Sequence, residues 1–120
     1  MKSGSFRINP FSLSKRIKRP LILDGAMGSL LQQNDVPIDK KAWVTFANIE
    51  YPDKVLKIHR DYVKAGADII TTNTFRTNPA ALTEYCSTKQ IKILRAAVML
   101  AEEAVQNEPV FIAGSNAPAE

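Results

Sequence analysis

The chain has one cysteine, Cys86, and one histidine, His59, among 120 residues. A lone cysteine excludes an internal disulfide and fits a reducing compartment, so a cytoplasmic location is expected. It also excludes a cysteine-rich metal site built from these residues, and one histidine supplies a histidine-based site no better. No apolar run approaches the roughly 18 residues of a membrane helix. There is no secretory h-region and no N-glycosylation sequon. The phosphate-binding patterns G-x-x-x-x-G-K-[ST] and G-x-G-x-x-G are missing too; "DGAMGS" matches neither.

Acidic residues are missing from positions 1–20, which hold Lys2, Arg7, Lys15, Arg16, Lys18 and Arg19. The other 100 residues carry ten basic and twelve acidic side chains, so the net charge of +4 describes the leader and not the body. A nucleic-acid binder spreads its basic residues over a folded face. No nucleic-acid or membrane partner is therefore expected. Residues 1–19 read as a basic tail, flexible over Met1–Pro10, with a short helix over 12–19. An organelle-targeting leader and a phosphate- or membrane-contacting tail are the alternatives.

What is present is an α/β pattern. "LILD", residues 21–24, is a short apolar run suited to a parallel strand covered on both faces. Gly25 and Gly28 relax the turn after it, and Leu30 and Leu31 suggest a short helix. Residues 34–51 lack periodicity and read as a long loop carrying Trp43 and Phe46. A strong helix opens at Pro52, with Asp53 at the positive end of its dipole and Val55, Ile58, Tyr62 and Ala65 on one stripe. Gly66 ends it. "ADIIT", residues 67–71, is the second strand, and strand–helix–strand implies parallel pairing. Asn78 and Pro79 predict a helix over 79–86. Ser87 and Gln90 read as a capping box for a helix running to Gln106, with Ile91, Leu94, Val98, Ala101 and Val105 as its buried stripe. "PVFIAGS", residues 109–115, is the third strand.

Each strand is followed by small or polar residues: Asp24-Gly25, Thr71 to Thr74, and Gly114 to Asn116. In parallel α/β proteins ligands sit outside the carboxyl ends of the strands. Asp24 has two readings there, as a partner for a ligand ammonium or as an acceptor that orients the next loop. The threonines and Asn73 are uncharged hydrogen-bonders that fix orientation and do not carry proton transfer. His59 reads as a packed helix residue, Cys86 as structural, and Trp43 as a lid or a peripheral core filler.

"LILDGAMGSLLQ", "IHRDYVKAGADIITTNTF" and "FIAGSNAP" together resemble the N-terminal part of the homocysteine S-methyltransferase domain family, over about residues 18–118. The resemblance implies a (β/α)8 barrel, which takes about 250 residues. Residues 20–120 would then be the first three β/α units of an incomplete barrel, an N-terminal fragment or truncated member. It implies methyl transfer to the thiol of homocysteine to give methionine, with the thiolate held on zinc by three cysteines from later strands. Neither a catalytic nor a metal-binding residue is expected in this chain, and the methyl donor is undetermined.

Carried over, the resemblance places Asp24 on the amino group of homocysteine, Gly25 and Thr72 at its amino-acid end, and Asn73, Thr74 and Phe75 along the pocket. Phe75 would lie towards the methyl donor, and Ser115 on the third rim. Ala26 and Ala117 stand where the family commonly has Gly, and Thr71, where some relatives carry Glu, is assigned no role. An open third strand edge also admits self-association, with the chain as a non-catalytic binding module.

Overall fold

The computed structural model describes residues 8–117. Of the tail expected over Met1–Pro10, residues 1–7 lie outside them, as does Pro118. The leading helix starts earlier than 12. Asn9 caps α1 (Pro10–Ile17) by accepting from the Ser12 N–H at 2.8 Å, and Pro10 takes the first turn. Residues 8–10 therefore belong to this helix entry and not to a tail. Lys18, left-handed at φ 59°, ends it.

Five further helices and strands follow α1 before the last strand: α2 (Gly28–Gln33), α3 (Ala47–Glu50), α4 (Pro52–Ala65), β1 (Ile69–Thr71) and α5 (Ser87–Val105), then β2 (Phe111–Ala113). β1 and β2 pair in parallel with Ile69, Ile70 and Thr71 opposite Phe111, Ile112 and Ala113. The expected first strand is reduced to one parallel bridge, Leu23 to Ile69. Asp24 N donates to Ile69 O at 2.9 Å and Asp68 N to Ile22 O at 2.8 Å, so residues 22–24 still run beside β1. β1 is thus central, flanked by 22–24 and β2. Arg19 locks the entry end of this arrangement: its guanidinium grips both carboxylate oxygens of Asp68, at 2.8 and 3.1 Å.

Side chains in parallel register point to one side. Ile70, fully buried, packs with Ala101, Ala104 and Val105 of α5, so the helices cover that side. Leu23, Ile69 and Phe111 share the other, where Leu23 is 57% exposed. α4 keeps its expected bounds: Pro52 opens it, and Gly66 at φ 105° closes it. The positive φ is what requires glycine there.

Four expectations are corrected. Residues 34–51, expected as one long loop, are mostly turns and irregular backbone, but much of the segment is buried. Val36, Ala42, Val44, Thr45, Phe46, Ala47 and Asn48 are all buried, and α3 forms within the segment. The burial is apolar packing against Leu31, Val55, Ile58 and Leu100, contacts distant in sequence that leave no local period. Residues 79–86 form turns, not a helix. Asn78 does cap, accepting from the Ala81 N–H at 2.9 Å, but the turn does not propagate. A helical nucleus this short needs packing to survive, and here Leu82 is the buried residue that anchors the segment.

The capping box is also absent. Cys86 occupies the cap position without a side-chain bond, and Gln90 Nε2 donates instead to Leu82 O and Tyr85 O, both at 2.9 Å. The stripe on α5 is rotated as well. Ile93, Ala97, Leu100, Ala101, Ala104 and Val105 are buried, while Ile91, Leu94, Val98 and Met99 are 39–65% exposed. The middle of α5 is apolar nearly all round, so contact with α3, α4 and β1 selects the buried face.

Candidate functional site

The polar groups gather at the carboxyl ends of the parallel segments. Asp24 ends the first. Its Oδ2 accepts from the Thr71 N–H at 2.9 Å, and its Oδ1 accepts from the Thr71 hydroxyl at 3.2 Å. The carboxyl is half-buried, and burial raises its pKa above the usual carboxylate range while the Thr71 bonds oppose the shift. Thr71, without a role on sequence grounds, is thus the residue that orients Asp24.

Thr72, Asn73 and Thr74 follow β1 and are buried. Thr74 N donates to Thr72 O at 2.9 Å, closing a three-residue turn. The flanking hydroxyls converge, Oγ1 to Oγ1 at 2.8 Å. Thr74 gives its proton to Ser115 O at 2.6 Å, so Thr72 is the donor within the pair. Ser115 N donates back to Thr74 Oγ1 at 3.3 Å. Ser115 therefore joins the rim through its backbone, and a chain Thr72–Thr74–Ser115 ties β1 to the end of β2. Thr72 Oγ1 keeps lone pairs to accept a further bond.

Asn73 points elsewhere. Its Nδ2 donates to Val44 O at 3.1 Å and to Asn48 Oδ1 at 3.0 Å. Phe75 is 42% exposed and meets Trp43 edge-on, with ring centroids 6.3 Å apart. Trp43 also lies over Gly28: a Cβ at Gly28 would come within 2.4 Å of two ring carbons. Gly25 has a similar neighbour. A Cβ there would stand 2.9 Å from Tyr62 Oη, which donates to Ala26 O at 2.8 Å. Burial, and then the Asp24 charge, raises the Tyr62 phenol above its usual pKa.

Sequence reasoning singled out Asp24, Gly25, Thr72, Asn73, Thr74, Phe75 and Ser115. It passed over Thr71, Tyr62 and Asn48. The only signal for Asn48 was an amide inside the apolar run "VTFAN".

A tetrahedral zinc centre does not fit these residues. Among the described residues no three of His, Cys, Asp and Glu come together. Cys86 is exposed and His59 is buried within α4. No helix of the described residues is long and apolar enough to cross a membrane.

Comparison with known proteins gives this rim a setting. The family model for homocysteine S-methyltransferase matches residues 21–120. Methionine synthase of Mycobacterium tuberculosis is 37% identical over 81 residues, 64% of this chain and 7% of that protein. Homocysteine S-methyltransferase 1 of Arabidopsis thaliana is 29% identical over 85 residues, 69% of this chain and 26% of that protein. A crystal structure of the homocysteine methyltransferase MmuM from Escherichia coli, in metallated form, superposes with a TM-score of 0.75 at 26% identity, over 92% of this chain and 42% of that one. The chain thus spans less than half the length of these relatives. Its parallel strands and intervening helices match part of a homocysteine methyltransferase fold, and the chain belongs to the homocysteine S-methyltransferase family.

Proposed function

We propose that these residues form the first three β/α units of a (β/α)8 homocysteine S-methyltransferase domain, residues 20–120 of the chain, and supply its amino-acid-binding rim. The whole domain would pass a methyl group to the thiol of homocysteine and yield methionine. The observation that carries the reading is the half-buried Asp24 carboxylate, aimed by Thr71 beside the Thr72–Thr74–Ser115 chain. A carboxylate is a strong acceptor for a substrate ammonium. Thr72 Oγ1 offers a second acceptor, and Gly25 the backbone of the turn. Phe75 and Trp43 meet edge-on as an apolar wall suited to the methylene chain of the substrate. Zinc in the whole domain would hold the thiol deprotonated; the single cysteine here does not supply that site.

Isothermal titration of the 120-residue chain with homocysteine tests the reading. Binding is expected, with loss on Asp24→Ala; no binding by the wild type overturns it. A methyl-transfer assay with added zinc is expected to show no turnover by this chain, and turnover would contradict that expectation.

A second reading is a self-associating, non-catalytic module. Ile112 of β2, Leu23, and Ile91, Val98 and Met99 of α5 are apolar and 36–65% exposed. Light scattering behind size exclusion separates the two: a clean monomer at high concentration removes the second.

A further inference from the structure

Asn48 is 1% exposed and lies on α3, outside the 72–74 turn but in direct contact with its central residue. Its Nδ2 donates to Asn73 O at 2.9 Å and to Ile93 O at 3.4 Å. Its Oδ1 accepts from Asn73 Nδ2 at 3.0 Å. One amide therefore grips both the backbone and the side chain of a single residue, and ties that residue to α5. A buried amide left unpaired is expensive, so this arrangement has little freedom to rotate.

Asn73 is the central residue of the turn that Thr72 and Thr74 close. Drawing its carbonyl and side chain towards α3 leaves the two flanking hydroxyls to converge on each other and on Ser115. We propose that Asn48 is a positioning residue for the substrate rim: it sets the rotation of the 72–74 turn, and through it the Thr72 and Thr74 hydroxyls. The proposal rests on the functional reading above only for its consequence in homocysteine binding. The positioning itself is read without ligand.

Asn48→Ala removes both halves of the grip. Asn48→Asp keeps the acceptor and loses the donor to Asn73 O. Val105→Ala, in the core by Ile70, is the control for plain destabilisation. The first readout is amide exchange and methyl NMR of Thr72 and Thr74 in the free 120-residue chain; the second is the homocysteine Kd; the third is the thermal midpoint. In Asn48→Ala, exchange at Thr72 and Thr74 is expected to rise about tenfold or more, and Kd by about tenfold, the equivalent of one lost buried bond. Asn48→Asp, which sets a carboxylate against the Asn73 and Ile93 carbonyls, should move both in the same direction. Val105→Ala should lower the midpoint with exchange at 72–74 and Kd unchanged.

If Asn48→Ala lowers the midpoint yet leaves exchange and Kd like the control, the proposal is overturned. If it does not fold, Asn48→Asp is read against the same control and decides. If the wild type does not bind homocysteine, the functional reading falls, and exchange at Thr72 and Thr74 alone decides whether Asn48 positions the turn.

Discussion

Asp24 and Thr71 are locked together across two parallel segments, carboxylate to amide at 2.9 Å and carboxylate to hydroxyl at 3.2 Å. The pair turns a strand-end acid into an aimed one. Asp24→Asn keeps an oxygen for the Thr71 amide but removes the charge. Homocysteine affinity is expected to fall by about 10- to 100-fold, the worth of a hydrogen bond to a charged group, with the thermal midpoint little changed. Titration calorimetry checks it; an unaltered Kd would remove Asp24 from the site.

Gly28 and Gly25 are both held to glycine by aromatic neighbours, but unequally. At Gly28 a Cβ meets ring carbons of Trp43 at 2.4 Å, in a ring that also makes the edge contact to Phe75. At Gly25 it meets the Tyr62 hydroxyl at 2.9 Å, the far end of a side chain. Gly28→Ala should cost about 3 kcal/mol and Gly25→Ala about 1 kcal/mol, within the span for overpacking. Tyr62→Phe should relieve the second, so the double variant Gly25→Ala/Tyr62→Phe should be less unstable than the two single losses added. Urea unfolding of the four proteins measures it, and strict additivity would show that the hydroxyl is not the obstacle.

His59 is completely buried in α4, and neither ring nitrogen has a hydrogen-bond partner among the described residues. Burial lowers its pKa from 6.5 to about 4. The unfolded chain takes up a proton below about pH 6.5 that the folded chain refuses until about 4. Stability from this group is therefore complete above 6.5 and is lost as pH falls, by up to about 3 kcal/mol near pH 4. His59→Leu should flatten this part of the stability–pH curve. Denaturant midpoints followed from neutral to mildly acid pH decide it; parallel curves for the two proteins would place the acid sensitivity elsewhere.

The amino-acid sequence by itself determined what depends on neighbouring residues. Pro52 and Gly66 set the bounds of α4, and the alternation of apolar runs with a helix set the parallel direction of the strands. The placing of Asp24, Thr72 and Thr74 at strand ends followed from the same run lengths. Tertiary structure decided what depends on partners far along the chain. Asn73 has the chemistry of a rim residue, but Val44 and Asn48, 29 and 25 residues away, turn its amide inward. Thr71 looked idle until Asp24 lay beside it. The "VTFAN" segment has no period, yet it is buried because Leu31, Val55 and Leu100 close over it. Caps and turns are written locally, since their hydrogen bonds span three or four residues; the direction of a polar side chain is settled only when packing decides which of its possible partners is within reach.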